Sequence, residues 1–195
     1  NSVTEPIEHG AQNRWKGLDR HVALSYGAKG IAADVAPSAA DDDREPVAES
    51  AWAATIDPIS AIIGLMKSAQ AAQPCQRNTA VFDGRRRYNL EEKDIGQKPL
   101  MSGKWAGPAQ VCAVAMEVLA GRNRHPWWPA SRQPKVATVW FRALAPGLPP
   151  IPVLARASAG PAPVVIRLTR FEIDRQIGAA APNSSQNDHA MLGGD

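Results

Sequence analysis

Three consecutive arginines, Arg85, Arg86 and Arg87, form the densest group of side chains in this sequence that could do chemistry. A guanidinium group presents a planar fork of N–H donors that matches the oxygens of a phosphate or a carboxylate. Tyr88 follows directly and adds a hydroxyl group. The run is too short to indicate nucleic-acid binding, because such sites interleave several aromatic residues with the charge. These four residues are therefore predicted to form an anion-binding site.

A second interpretation of the same run is structural. The pattern predicts a strand over residues 80–92, in which Arg86 points to the opposite face from its two neighbours. Arg86 would then lie among apolar side chains, unless a turn at Asp83 and Gly84 resets the register. In this interpretation the arginines cover a solvated strand face, and one of them pairs with Asp83 or Glu91. The sequence leaves both interpretations open.

A second candidate site is the segment 122–132, in which Trp127 and Trp128 stand between prolines and basic residues. Indole rings favour membrane interfaces, so this segment could contact a membrane or gate access to a ligand. The structural alternative is that one of these two tryptophans folds back on the core as a lid. Trp105 and Trp140 are predicted to be packing residues.

The two cysteines, Cys75 and Cys112, are either buried free thiols or a disulfide. A bridge would close a loop of 37 residues, for which the chain-entropy model gives about 3–4 kcal/mol of stabilisation. Because a chain with so many turns has a modest core, we predict the disulfide. A disulfide implies an oxidising compartment.

Residue patterns typical of catalysis are missing from the sequence. The four histidines are scattered, and no pair has the spacing of metal ligands on one element. Neither a nucleophile elbow nor a phosphate-binding loop motif occurs. We therefore predict no catalytic residue, no bound metal and no cofactor. The histidines are His9, His21, His125 and His189.

Composition limits the class of protein. Hydrophobic residues make up 44% of the 195, which is enough for the core of one domain. The 17 prolines and 15 glycines argue against a helical bundle and favour short strands joined by turns. The net charge of +3 does not demand a nucleic acid. No apolar run approaches the roughly 18 residues of a membrane-spanning helix. The chain begins at Asn1 without a signal peptide, so we expect a processed or excerpted form.

The predicted domain extends over residues 20–175. Residues 1–19 are expected to be a frayed start or a remnant strand, and residues 176–195 a disordered tail. Residues 21–36 predict a hairpin, because apolar and polar side chains alternate there. Further strands are predicted over residues 80–92, 110–119, 136–143, 151–157 and 163–172.

The segment 37–50 separates the predicted hairpin from the next element. It contains two prolines and the acidic run Asp41, Asp42 and Asp43. Runs of like charge are usually solvated. We therefore predict a solvated loop, in which the acidic run is part of the solvated surface.

Residues 57–72 predict an amphipathic helix. Asp57 can cap the first turn, and Pro58 suits the first helical position. The apolar stripe consists of Ile59, Ile62, Ile63 and Met66, widened by Leu65 and Ala69. We expect this stripe to be buried against the concave side of the sheet. The predicted fold class is mainly β: a curved antiparallel sheet or half-barrel of about six to eight strands packed around one amphipathic helix.

Several segments together resemble an exported bacterial family of unknown function, DUF 3108. The likeness extends over about residues 20–172, and its most specific block is residues 81–90 (VFDGRRRYNL). The resemblance implies a periplasmic protein built mainly of antiparallel strands around a helix, with an N-terminal part missing from this chain. The other matching segments are residues 57–61, Cys75, residues 107–112, residues 120–121, residues 137–140 and residues 149–153.

The function predicted from these features is binding rather than catalysis. The leading hypothesis is a non-enzymatic periplasmic protein that holds an apolar or anionic amphipathic ligand, such as a lipid or an envelope polymer, in a groove between the sheet and helix 57–72. The alternative is a scaffold that docks another envelope protein through an exposed strand edge or through Trp127 and Trp128. A hydrolase of unknown substrate is the third hypothesis.

Overall fold

The structure is a computed structural model that describes residues 5–15, 17–39, 41–42, 44–101, 103–125, 136–159 and 162–173. Within these ranges the chain is mostly β, with two antiparallel sheets that do not close into a barrel and one α-helix. The predicted fold class, a curved antiparallel sheet with one helix, is confirmed.

The smaller sheet contains three strands in the order β1 (Glu8–Trp15), β2 (Leu18–Gly27) and β3 (Gly30–Ala36). The predicted hairpin over residues 21–36 is therefore present. Every residue of β1 has a partner on β2, from Glu8 opposite Ser25 to Trp15 opposite Leu18. Residues 8–15, within the predicted frayed start or remnant strand of residues 1–19, thus form a strand that is paired along its whole length.

The larger sheet is a meander in which each strand pairs with the next one along the chain. Its strands are β4 (Asn78–Phe82), β5 (Arg87–Leu100), β6 (Gly107–Ala120), β7 (Val136–Arg142), β8 (Ile151–Ala159) and β9 (Ala162–Arg167). The single strand predicted over residues 80–92 is wrong, because a turn at residues 83–86 divides it into β4 and β5. The last strand ends at Arg167 rather than at residue 172.

The helix α1 (Pro58–Ala69) begins where the sequence predicts and ends three residues earlier than the predicted limit of 72. Asp57 is its N-cap, and one carboxylate oxygen accepts the N–H groups of Ile59 (2.8 Å) and Ser60 (2.9 Å). A short 3₁₀ helix (Glu49–Ala51) precedes it.

The buried face of α1 is not the one predicted. Ile59, Ile62 and Ile63 are 55%, 45% and 38% exposed. The buried residues of the helix are small: Ser60, Ala61, Gly64, Ser68 and Ala69. Small side chains let the helix lie close to its neighbours, and the guanidinium of Arg77 lies 3.4 Å from where a Cβ of Gly64 would be. Helical periodicity gives the spacing of an apolar stripe, but the closeness of the neighbouring strand decides which face is buried.

Cys75 and Cys112 form a disulfide with their Cα atoms 5.7 Å apart. Both cysteines are fully buried, beside Ala69 and Phe141. The bridge therefore ties the chain just after α1 to the middle of β6. Leu65 and Met66 pack against the same cluster, so part of the predicted stripe does contact the core.

Trp105 and Trp140 are packing residues, as predicted. Both lie against a cluster at the far end of the sheet that includes Leu100 and Leu154. The indole N–H of Trp105 also donates to the backbone oxygen of Leu168 at 2.7 Å.

Among the described residues, no helix has the length and apolar character that crossing a membrane requires.

Glu92 of β5 is a buried carboxyl group beneath α1, 8% exposed. Burial raises its pKa, since the charged form loses hydration, while a hydrogen bond with Ser68 and the charge of Arg77 oppose part of that rise.

The disulfide can be tested by its effect on the unfolded chain. We expect the Cys75→Ala/Cys112→Ala double variant to lose about 3–4 kcal/mol of unfolding free energy in urea, because its unfolded chain is no longer cross-linked. Alkylation of the wild type under denaturing conditions should modify no thiol without reductant and two thiols after reduction. Modification of two thiols without reductant would contradict the bridge.

Glu92 predicts a pH dependence of stability. Because its pKa is raised in the folded state, the folded chain binds more protons between the unfolded and folded pKa values. Its contribution to stability is therefore most favourable below the unfolded pKa and falls as pH rises through the folded pKa. Glu92→Gln should raise the unfolding free energy at pH 7 and change it less at about pH 4, as measured by urea unfolding.

The matched control is Glu91→Gln, at an exposed neighbour. Equal effects of Glu92→Gln at both pH values would refute the prediction.

Candidate functional site

The turn between β4 and β5 is organised by Asp83. One of its carboxylate oxygens accepts the N–H groups of Arg85 (2.9 Å) and Arg86 (2.6 Å), and its own N–H donates to the backbone oxygen of Arg86 (3.1 Å). Gly84 adopts φ +84°, a left-handed conformation that favours glycine. The three arginines therefore do not share one strand, since two of them lie in the turn and Arg87 begins β5.

Arg85 points from this turn to a buried carboxylate, that of Asp42. The Asp42 side chain is 1% exposed. It contacts the Arg85 guanidinium at 2.9 Å, that of Arg44 at 3.0 Å and that of Arg20. Arg85 also donates to the backbone oxygens of Ala36 (2.6 Å) and Pro37 (3.1 Å). We refer to Asp42, Arg20, Arg44 and Arg85 as the Asp42 cluster.

The Asp42 cluster has an imbalance of charge. Three guanidinium groups contact one carboxylate, so the ion pairs leave two positive charges uncompensated within the cluster. The arginine side chains are only 24% (Arg20), 21% (Arg44) and 12% (Arg85) exposed. Because water screens such partly buried charges weakly, the cluster creates a positive potential in the space beside it.

That space is a cavity of about 380 Å³ between the small sheet and the β4–β5 turn. We call it the arginine cleft. Its polar lining includes N–H donors from β1, β2, the loop after β3 and the β4–β5 turn: His9, Asn13, Arg20, Arg44 and Arg86. Asp83 also lines it, but that carboxylate is already paired with Arg86 at 2.8 Å. The lining is therefore rich in donors and in positive charge.

His9 connects the cleft to the helix. Its Nδ1 lies 3.4 Å from the carboxylate of Asp57, the N-cap of α1, and its side chain is 10% exposed. Pro58, the first residue of α1, also lines the cleft. The start of the helix and the face of β1 are thus held against each other at one wall of the cavity.

The residues predicted to bind an anion are separated by the structure. Arg85 and Arg86 line the cleft. Arg87 donates instead to the backbone oxygen of Tyr88 and to the side chain of Asn89, both at 2.8 Å. Tyr88 is 7% exposed and belongs to the core under α1, and burial raises its pKa to about 12. Glu91 is exposed, and Asp83 is the carboxylate that pairs with Arg86. Trp127 and Trp128 lie outside the described residues.

Sequence reasoning missed Asp42, Arg20 and Arg44. The acidic run was predicted to be solvated, which is wrong for Asp42, because three arginines surround it. Asp41 is exposed and accepts a hydrogen bond from Ser38 at 2.6 Å. One signal was present in the sequence, since Arg44 follows the acidic run two residues after Asp42. The distant partners Arg20 and Arg85 have no such signal.

The chemistry that this arrangement supports is the binding of an oxyanion through charge-assisted hydrogen bonds. Among the described residues, no three histidine, cysteine or carboxylate side chains gather in a group that could hold a metal ion. His21 pairs with Asp34 at 3.2 Å on the outer face of the small sheet, where both side chains are exposed.

Two glycines with the same φ test how tightly the β4–β5 turn is packed. Gly121 and Gly147 both have φ +79°. A Cβ on Gly121 would overlap the backbone oxygen of Arg85, whereas one on Gly147 would meet nothing within 4 Å. Gly147→Ala should cost about 1–2 kcal/mol of unfolding free energy through backbone strain alone. Gly121→Ala should cost a further amount of about 1–3 kcal/mol, because the turn must move. Urea unfolding of the two variants checks this, and equal losses would mean that the turn is free to move.

No protein-family model, curated protein or solved structure matches this sequence. The resemblance to DUF 3108 therefore stays a prediction. The candidate site stands on the geometry of the Asp42 cluster and the arginine cleft.

Proposed function

We propose that this chain is a non-enzymatic cell-envelope protein that binds an anionic ligand in the arginine cleft. The observation that carries the proposal is the excess of positive charge at the cleft wall. Three guanidinium groups of the Asp42 cluster contact one buried carboxylate, and the cavity beside them is large enough for a small molecule or a head group.

The excess positive charge at the cleft wall favours the binding of an anion. A partly buried cation without a counter-ion raises the free energy of the folded chain, because it has lost hydration and gained too little in return. An anion in the cleft would supply the missing negative charge. Binding of such an anion should therefore also stabilise the fold.

The arginines at the cleft differ in how free their guanidinium groups are to bind a ligand. Arg85 is the most buried, and its guanidinium already donates to Asp42, Ala36 and Pro37, so we assign it a structural role. Arg20 and Arg44 make fewer contacts, and Arg86 is 39% exposed. These three arginines are the proposed ligand-binding side chains, with Asn13 and His9 as neighbouring polar groups.

The cleft differs from the groove that the sequence suggested. The leading hypothesis placed an apolar ligand between the sheet and the helix. The inner face of α1 instead packs on the Cys75–Cys112 disulfide and on side chains such as Val81 and Phe141. We therefore locate the ligand beside the N-terminus of α1 rather than beneath the helix.

The proposed location in the cell envelope has two supports. The disulfide is typical of an oxidising compartment. The resemblance to DUF 3108 implies export to the periplasm. A lipid or an envelope polymer with phosphate or carboxylate groups would be a suitable source of the anion.

A second candidate function is a scaffold that docks another envelope protein through the open edge of β9. Val164, Val165 and Ile166 are 47%, 43% and 66% exposed on this strand, which pairs only with β8 among the described strands. Pro163 weakens this candidate. Since Leu168 N–H points to Val153 of β8, alternation directs the backbone of Pro163 to the open edge, where proline has no N–H to donate. Crosslinking in cells would support a scaffold if it gave one reproducible protein adduct.

Inorganic phosphate is the simplest probe of the arginine cleft. We expect calorimetry at low ionic strength to detect phosphate binding, and the melting temperature to rise with phosphate concentration. Arg20→Gln should weaken binding about tenfold or more, because it removes one charged donor. It should still fold, since Asp42 keeps Arg44 and Arg85.

The matched control is Arg14→Gln, which removes an exposed arginine of the same hairpin that pairs with Asp19. It should leave the affinity nearly unchanged. Loss of phosphate binding to the same extent in both variants would show non-specific attraction. No binding of phosphate, sulfate or pyrophosphate at millimolar concentration would refute the proposal.

A further inference from the structure

A second cavity, of about 240 Å³, adjoins the Asp42 cluster. Arg44 and Arg85 line both this cavity and the arginine cleft. The remaining walls are largely apolar and come from β3, the loop before α1 and the end of β4. They include Ala33, Val35, Val47, Trp52 and Phe82. We call it the Trp52 cavity.

We infer that the Trp52 cavity receives a short apolar chain whose phosphate group is bound by Arg44 at the arginine cleft. The ligand class is thus a phosphate monoester of a single short alkyl or prenyl chain. This inference rests on the proposed function and adds the identity of the ligand class to it.

The charge of the Asp42 cluster supports a phosphate monoester. The cluster carries two uncompensated positive charges, and a phosphate monoester carries a charge of about −1.5 to −2 at neutral pH. A carboxylate would supply only one negative charge. Glu45, an exposed residue that also lines the Trp52 cavity, repels an anion there, which favours a head group on the arginine side and an apolar chain inside.

The walls of the Trp52 cavity are held in place by contacts with one another and with β2. Trp52 stacks on Phe82 with ring centroids 4.9 Å apart, and the backbone oxygen of Trp52 accepts a hydrogen bond from the Thr55 hydroxyl at 2.6 Å. Phe82 is 1% exposed and packs against Val22 and Leu24 of β2. A cavity with rigid apolar walls favours an apolar chain, because little order is lost when the chain enters.

The volume indicates how much of the chain the cavity can cover. At about 30 Å³ for each water-sized group, the Trp52 cavity has room for about eight such groups. Chains up to about eight carbons should therefore gain affinity with each methylene, and longer chains should gain little more.

The experiment measures calorimetric Kd values for ethyl, butyl, octyl and decyl phosphate, each below its micelle concentration. Burial of a methylene lowers Kd by at most about fourfold. We expect Kd to fall by at least about a hundredfold from ethyl to octyl phosphate, and then to change little at decyl phosphate. Octanoate should bind more weakly than octyl phosphate, because it carries one negative charge.

A matched pair of variants locates the chain. Ala33 lines the Trp52 cavity, whereas its neighbour Ala32 is exposed on the opposite face of β3. Ala33→Leu should fill the cavity and bring octyl phosphate to within about threefold of ethyl phosphate, with phosphate binding retained. Ala32→Leu should preserve the full chain-length effect. If Ala33→Leu does not fold, Val47→Thr tests the same wall by adding a hydroxyl group, and it should reduce the gain for octyl phosphate.

The outcomes separate this inference from the proposed function. Equal affinity for ethyl and octyl phosphate overturns the chain-binding inference and leaves the phosphate site standing. A chain-length effect that persists undiminished in Ala33→Leu and in Val47→Thr also overturns it. The chain would then bind elsewhere, for example on the exposed isoleucines of α1. Binding to anionic lipid vesicles without binding to soluble octyl phosphate would overturn it in favour of a membrane surface. Absence of phosphate binding would refute the proposed function itself.

Discussion

The arrangement of the two sheets depends on the carboxylate of Asp42. No backbone ladder joins the small sheet to the large one among the described strands, so side chains and loop hydrogen bonds must hold them together. Asp42 contacts Arg20 from β2, Arg44 from the following loop and Arg85 from the β4–β5 turn. A single buried anion therefore fixes three chain segments at once. The apolar contact of Phe82 with Val22 and Leu24 supports the same junction from below.

The structural role of the Asp42 cluster and its proposed binding role have the same origin, which is that three guanidinium groups surround one carboxylate. One cation would suffice to compensate a buried carboxylate, and additional hydrogen bonds would stabilise the pair. Three cations hold the junction firmly but leave an excess of positive charge at its surface. The two cavities share Arg44 and Arg85, and the second one adds apolar walls such as Trp52 and Phe82. An amphipathic anion is the kind of molecule that fits both surroundings.

Much of the fold could be predicted because it depends on local patterns. Alternation of apolar residues identified the hairpin of β2 and β3, and Asp57 with Pro58 marked the start of α1 to the residue. The division of β4 from β5 was raised only as an alternative, a turn at Asp83 and Gly84, because the apolar alternation continues across these residues. The helix face was wrong for a different reason. Periodicity identified a stripe containing Ile59, Ile62 and Ile63, but the helix lies close to its neighbours and its buried positions carry small side chains.

In the candidate site, too, the local sequence pattern predicted some residues, and contacts between distant segments decided the others. The run of arginines pointed to anion chemistry, and Arg85 and Arg86 do line the cleft. Arg20, Asp42 and Arg44 acquired their roles only through tertiary contacts, since Arg20 and Arg85 are 65 positions apart in the sequence. Composition and spacing by themselves determined a mainly β chain with one capped helix, a pair of cysteines suited to a bridge and an anion-binding residue type. Tertiary structure decided which carboxylate is buried, which arginines surround it and where a cavity remains, because burial and electrostatic pairing depend on distances between segments that are remote along the chain.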